Sequence, residues 1–182
     1  MRGRWRRLQT STVDLWETIT IEAERESSLW HDVLRPEPER EPVFSPLGEE
    51  RYALGLETIY EGYLVHYGHP RLFDPVDEDT ALLLGDYLYA HGLVRIADVG
   101  SVEAVADLAE LISLCSQLRA DSAPGDGAAW AASATLLGAG EVDDARAALR
   151  DRGDARPLTE LAEAHAGPAL EQALAAHDRR LR

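Results

Sequence analysis

The amino-acid sequence predicts an all-α protein built as a helical bundle. Apolar side chains recur every three or four positions over long stretches, which is the spacing of one face of an α-helix. No stretch alternates apolar and polar residues as a half-buried β-strand would. The last third of the chain is rich in alanine, the residue with the highest helix propensity. We therefore expect a helical core followed by an alanine-rich helical region.

The chain opens with a basic arm, a helix and a connector. Residues 1–11 form the expected arm, which carries Arg2, Arg4, Arg6 and Arg7. Residues 12–34 have apolar residues at helical spacing and predict the first helix, capped by Ser11 or Thr12. Residues 35–47 contain four prolines, which are excluded from helix interiors, so we expect an extended connector there.

Residues 48–120 form the predicted helical core. One helix is expected from Gly48 to Tyr67, ending at a Gly-His-Pro turn. Another is expected from Val102 to Leu118, after a break at Gly100 and a cap at Ser101. Between them, residues of about 75–97 predict a helix that begins with Asp74 as its cap and proline at its first position. Apolar residues surround most of this helix, which is typical of a buried central helix.

Residues 121–182 form the predicted alanine-rich helical region. A loop over residues 121–127 is followed by three shorter helical patterns near Ala128–Leu137, Val142–Leu149 and Pro157–His177. The pair Gly167-Pro168 is expected to break or bend the last of them. Because alanine side chains bury little surface, we expect this region to dock weakly on the main bundle.

Composition excludes several classes of function. The chain has no lysine, which excludes a Schiff-base lysine and a phosphate-binding lysine loop. Its formal charge of -15 argues against binding to nucleic acid. The single cysteine, Cys115, leaves no internal disulfide and favours a cytoplasmic location. The sequence predicts neither a signal peptide nor a membrane span, although the arginines of the arm suit weak contact with an anionic lipid surface or an acidic partner.

The motifs of common catalytic and metal sites are missing, so we predict no cofactor, no metal and no catalytic residue. Asp143-Asp144 has alanine four positions later, so it lacks the second carboxylate of a magnesium-binding helix. Glu57 and Glu61 share a helix face but lack the Glu-x-x-His spacing of a di-metal bundle. Cys115 lies on a face of leucine and isoleucine, which indicates a buried core thiol.

Asp86 is the most unusual residue of the core. It stands in an otherwise apolar helix, where a carboxylate is costly to bury without a partner. The adjacent Gly85 permits close approach of another helix. We expect Asp86 to contact either a neighbouring helix or a cavity, with Arg95 or a tyrosine hydroxyl as its partner.

Part of the core resembles a known family. The stretch Thr80–Ala90, Thr-Ala-Leu-Leu-Leu-Gly-Asp-Tyr-Leu-Tyr-Ala, resembles the Leu-Gly-Asp helix of trans-isoprenyl diphosphate synthases. The helix that follows Gly100 is similar in character to the next helix of that family. Upstream, Leu64–Gly68 is similar to the Leu-x-His-Asp-Asp that opens the family's first aspartate-rich motif. The resemblance covers roughly Tyr52 to Arg119.

The departures from this family concern its chemistry. Tyr67 and Gly68 stand where the family has its magnesium-binding aspartates, and only Arg71 remains of its diphosphate-binding arginines. The second aspartate-rich motif has no counterpart. Without acidic clusters to hold magnesium, a leaving diphosphate is not stabilised. We therefore expect no catalysis by this chain alone.

The resemblance implies a non-catalytic partner of a catalytic subunit, as in the heterodimeric enzymes of the family. It implies that one group of residues lines a prenyl cavity or the interface with the catalytic subunit: Tyr63, His66, Tyr67, Gly85, Asp86, Tyr87 and Leu88. Of these, Tyr87 and Leu88 are expected to influence product length or association. Two alternatives stay open: a stand-alone helical interaction or scaffold protein without a link to isoprenoids, and an enzyme whose residues are not recognisable.

Overall fold

A computed structural model of the protein describes residues 14–182. This part of the chain contains nine α-helices: α1 (Leu15–Glu26), α2 (Ser28–Asp32), α3 (Ala53–Tyr67), α4 (Glu78–Asp98), α5 (Val102–Ala120), α6 (Asp126–Thr135), α7 (Asp143–Arg152), α8 (Arg156–His165) and α9 (Ala169–Arg180). Residues 14–182 include no β-strand, only an isolated antiparallel bridge between Leu34 and Phe73. The predicted all-α class is confirmed.

The first helical segment is divided in two. Asp14 caps α1 by accepting a hydrogen bond from the backbone N–H of Trp16 at 3.0 Å. Ser27 then adopts an extended conformation, and its hydroxyl accepts from the N–H of Leu29, so that α2 starts as a new helix. The expected single helix over residues 12–34 is therefore wrong. The basic arm and the expected caps Ser11 and Thr12 lie outside the described residues.

The buried helix at the centre is α3. All of its residues from Gly55 to Val65 are buried. By contrast, α4 buries one face, with Leu84, Leu88 and Ile96, and exposes the other. The expected burial of the helix around residues 75–97 is therefore wrong. Its apolar residues lie on both sides of the helix, but only one side is buried in the core.

The cap of α4 also differs from the expectation. The carboxylate of Asp77 accepts from the backbone N–H of Thr80 at 2.8 Å and from its hydroxyl at 2.9 Å, so α4 begins at Glu78. Asp74 instead lies in the preceding turn and pairs with Arg35 at 3.4 Å. At the other end, the expected cap of α5 by Ser101 is present, since its hydroxyl accepts from the N–H of Ala104.

The alanine-rich region contributes to the main core. Trp130 of α6 is fully buried and stacks on Phe44 at 5.5 Å between ring centroids, and it also contacts Tyr60 at 5.1 Å. The expected weak docking of this region is therefore wrong for α6, because one tryptophan supplies the area that alanine lacks. Among the described helices, none is long and apolar enough to cross a membrane.

Candidate functional site

Four glycines allow the backbones of α3 and α4 to pack in direct contact. Gly55 and Gly62 of α3 face Gly92 and Gly85 of α4, respectively. A Cβ atom on Gly62 would stand 3.0 Å from the carbonyl oxygen of Gly85, and one on Gly92 would stand 3.1 Å from that of Gly55. The backbones are thus in direct contact along two turns, and no space for a prenyl chain remains between the two helices.

His66 covers the end of this crossing. Its imidazole lies against Gly85 and 5.1 Å from the ring of Tyr89, and its Nε2 is 3.4 Å from a carboxylate oxygen of Asp86. Burial lowers the pKa of His66, and the charge of Asp86 partly opposes that effect. Tyr67 lies beside it, with its ring 5.6 Å from the imidazole.

Asp86 contacts the neighbouring helix α3, which is one of the two expected arrangements, but its carboxylate is exposed and its partner is neither Arg95 nor a tyrosine. About two thirds of its side chain is accessible to solvent. Its partner is His66, whereas Arg95 donates to the carboxylate of Glu22 and also bonds the hydroxyl of Thr58. The cost of burying a carboxylate is avoided because Asp86 lies on the solvent side of α4.

The other predicted site residues point elsewhere. Tyr63 is buried and directs its hydroxyl towards α5 and α6. Leu88 is buried against α1 and α2, and Tyr87 packs on Trp30 at 5.7 Å between ring centroids. The predicted set therefore divides into three groups: Tyr63 in the main core, His66, Tyr67, Gly85 and Asp86 at the crossing, and Tyr87 and Leu88 under the N-terminal helices.

A buried ion triad fills the other side of α3. Arg71, Glu57 and Glu61 are fully buried. The guanidinium donates to Glu57 at 2.5 Å and to Glu61 at 2.9 Å, and the free carboxylate oxygens accept from backbone N–H groups of Val43 and Leu72, among others. Arg71 is therefore neutralised within the core and does not face a diphosphate. The sequence contained a signal for this triad. Glu57 and Glu61 lie one helical turn apart, and two glutamates on a buried helix face need a cation.

A second polar network joins α3, α5, α6 and α9. Tyr63 donates to the carboxylate of Asp126, which also binds Arg119 and faces His177 Nε2 at 3.4 Å. His177 Nδ1 lies 3.0 Å from the hydroxyl of Tyr60. Burial opposes ionisation of Asp126, yet His177, Tyr63 and Arg119 together hold its pKa below the ordinary value.

Burial keeps the tyrosine hydroxyls and the thiol in and beside this network protonated. Burial, reinforced by Asp126, raises the pKa of Tyr63, and burial raises the pKa of Tyr60. Cys115 is fully buried nearby, and burial likewise raises the pKa of its thiol, so it remains protonated. No group of three or more His, Cys, Asp or Glu residues within 14–182 is arranged to hold a metal ion. The network links four helices through one carboxylate.

The solvent side of α4 is apolar. Leu82, Leu83 and Val94 have exposed fractions of 55%, 56% and 56%. They belong to one exposed stripe, called here the outer face, which consists of Leu82, Leu83, Asp86, Ala90, Val94 and Ala97. Large apolar residues rarely cluster on the surface of a monomer without a binding role. Sequence reasoning missed this face because it assigned all apolar residues of α4 to the core.

Carboxylates lie at both ends of the outer face and in its middle. Glu78 and Asp79 are exposed at the first turn of α4, Asp86 lies in the middle, and Asp98 ends the helix. Arg95 lies on the opposite side of α4, towards α1 and α3, where it pairs with Glu22. The face therefore combines large apolar side chains with carboxylates at both ends and one in the middle, and a partner with apolar and cationic side chains would complement it.

Comparisons with known protein families, with curated proteins and with solved structures found no match.

Proposed function

We propose that this chain is a non-catalytic helical subunit that binds a catalytic protein chain through the outer face of α4 and modulates its activity. The observation that carries the proposal is the exposure of Leu82, Leu83 and Val94 on one helix of a strongly acidic protein. Burying such side chains against a partner removes apolar area from water, which contributes about 25 cal/mol per Å² before the entropic cost of association is subtracted.

The carboxylates on and beside the outer face favour a different chain over a second copy as the occupant. Two copies paired through the outer face would bring Asp86 and the acidic first turns of α4 close to like charges. A partner with an apolar helix face and arginine or lysine around it would neutralise the same carboxylates. Charge complementarity therefore argues for a hetero-oligomer.

The partner class in this proposal is the catalytic subunit of a heteromeric trans-isoprenyl diphosphate synthase. Its support is the resemblance of Thr80–Ala90 to the Leu-Gly-Asp helix of that family. The same stretch contributes Leu82, Leu83, Asp86 and Ala90 to the outer face. The modulating role then lies in association, and Tyr87 and Leu88 act indirectly, by supporting α4 from its buried side.

The test is affinity co-purification of the tagged protein from its native host, with mass spectrometry of the recovered chains. We expect stoichiometric recovery of a chain that carries two D-D-x-x-D motifs. Reconstitution of the pair should then change turnover or product length with allylic and homoallylic diphosphates as substrates. Recovery of this chain alone contradicts the proposal.

Two variants distinguish binding through the outer face from a general effect of added surface charge. Leu83→Glu should abolish recovery of the partner, because it replaces a large exposed apolar side chain of the face by a second carboxylate beside Asp86. Leu29→Glu is the matched control, since Leu29 on α2 is exposed to the same degree (54%) but lies off the outer face. A partner without D-D-x-x-D motifs that is lost in Leu83→Glu contradicts the isoprenoid assignment and favours the scaffold alternative. A partner retained in Leu83→Glu contradicts the outer face as the binding site.

A further inference from the structure

A cleft opens where α4 turns into α5. It has a volume of about 290 Å³ and is lined by Ala97, Gly100, Ser101, Val102 and Val105. The lining is mostly apolar, and Val102 on its rim is 77% exposed. Because Ala97 belongs to the outer face of α4, the cleft continues that face at its C-terminal end.

The turn between the helices creates this cleft. Gly100 has φ +84°, a left-handed conformation that reverses the chain directly after α4. Ser101 then caps α5 by accepting a hydrogen bond from the N–H of Ala104. A Cβ atom on Gly100 would meet nothing within 4 Å, so the cleft is open on this side.

The charges beside the cleft are negative. Asp98 follows Ala97, Glu103 follows Val102, and both residues are exposed. No arginine stands within residues 96–118, so the neighbouring sequence supplies no cation to them. An occupant with an apolar centre and flanking cations would satisfy both features of this site.

We propose that the α4–α5 cleft receives one aromatic side chain of the partner, flanked there by arginine or lysine, and that this contact is the energetic centre of the interface. The proposal rests on the proposed function, because it names the chemistry of the same partner. Bulky aromatic residues that enter a pocket dominate the binding energy of many interfaces, whereas the surrounding contacts mainly exclude water. The outer face would supply the surrounding contacts.

A short peptide tests the cleft without the partner. The probe is N-acetyl-Arg-Trp-Arg-amide, added to the full chain while the backbone amide signals of residues 97–105 are followed by NMR. We expect saturable shifts confined to this segment, with N-acetyl-Arg-Ala-Arg-amide and N-acetyl-Asp-Trp-Asp-amide giving weaker effects. Equal shifts with the three peptides, or shifts elsewhere only, overturn the proposal.

Matched variants connect the cleft to the partner. Ala97→Leu fills the cleft, and Ala90→Leu makes the same change on the outer face away from it. Ala97→Leu should abolish the peptide shifts and weaken partner binding by about tenfold or more, whereas Ala90→Leu should retain the peptide shifts. Partner binding that is unchanged in Ala97→Leu overturns this inference and leaves the proposed function intact. If the peptide binds in the cleft but no partner chain is recovered, the proposed function is overturned, and the cleft remains a binding site for an aromatic side chain flanked by cations.

This chain itself contains Arg4-Trp5-Arg6, which has the same chemistry as the probe. The variant Trp5→Ala therefore belongs in the experiment. If the peptide binds Trp5→Ala but not the original chain, the occupant is this chain's own segment, and the assignment to a partner is overturned. Equal binding to both chains supports the partner.

Discussion

The imidazole of His66 occupies the space in which a Cβ atom on Gly85 would stand. The two residues come from different helices, α3 and α4, and the histidine is held there by Asp86 and the ring of Tyr89. Glycine is therefore needed at position 85, because a larger residue there would collide with the imidazole of His66.

Gly85→Ala should lower the free energy of unfolding by about 1–3 kcal/mol, because the new methyl group displaces the imidazole of His66. In the background His66→Ala the same change should be neutral or stabilising by up to about 1 kcal/mol, since alanine is the better helix former. Urea unfolding of the four chains measures this coupling.

Gly92→Ala provides the control for this cycle. Its methyl group would meet Ile59 and the backbone of Gly55, so its cost should persist when His66 is absent. Equal costs of Gly85→Ala in the two backgrounds would contradict the proposed steric conflict.

Removing the charge of Arg71 should strongly destabilise the protein. Arg71→Met leaves Glu57 and Glu61 buried without their cation, which typically costs about 3–5 kcal/mol. The triple variant with Glu57→Gln and Glu61→Gln should recover part of that loss, because the uncompensated charges are gone. Chemical denaturation measures each step.

The matched arginine for this comparison is Arg156, which is exposed and pairs with Asp154. Arg156→Met should change stability little, since solvent replaces the lost ion pair. An effect of Arg71→Met as small as that of Arg156→Met would show that the triad does not stabilise the fold.

Asp126 should make stability depend on pH. Its pKa is below the ordinary value in the folded protein, so its contribution is complete above the pKa of the unfolded chain, about 4, and is lost as the pH falls towards the lower folded value. Asp126→Asn should therefore cost about 3 kcal/mol at pH 7 and progressively less below pH 4. Unfolding curves between pH 2 and 7 measure the difference.

Asp178 is the control carboxylate, since it is exposed and adjoins His177 in the sequence. Asp178→Asn should leave the pH dependence of stability nearly unchanged. A difference between the original chain and Asp126→Asn that stays constant down to pH 2 would contradict the assignment of this dependence to Asp126.

Cys115 should react only when the protein unfolds. Its thiol is fully buried, and burial raises its pKa, so the reactive thiolate is scarce in the folded state. Labelling by a thiol reagent at pH 7 should proceed at the rate of global opening and accelerate with urea. Fast labelling without denaturant, at the rate of the unfolded chain, would show that the core opens locally around α5.

Local features of the fold were predictable from the sequence because they depend on near neighbours. The absence of α-helix from the proline-rich residues 35–47, the end of α3 at Gly68 and the cap of α5 at Ser101 all follow from the conformational preferences of one or two residues. The connector is not extended throughout, since Ser45–Leu47 form a 3-10 turn. The cap of α4 was assigned to Asp74 instead of Asp77, because both aspartates precede acidic residues and either one satisfies the local pattern.

The candidate site was less predictable. The sequence singled out His66, Gly85 and Asp86, which do lie together, but it did not reveal that Asp86 faces solvent. An apolar residue on a helix is compatible with a core or with an interface, and composition does not distinguish the two. The outer face is defined only by the tertiary structure, in which the other side of α4 packs on α3.

The sequence by itself determined that the chain is helical, where α3 ends and α5 begins, and that Cys115 is a core thiol, since periodicity and capping act over a few residues. Only the tertiary structure decided that α3 lies at the centre, that Arg71 pairs with both Glu57 and Glu61, and that Asp126 joins four helices. These relationships join residues that are distant in the chain, and they depend on the close approach of backbones that the glycines of α3 and α4 permit.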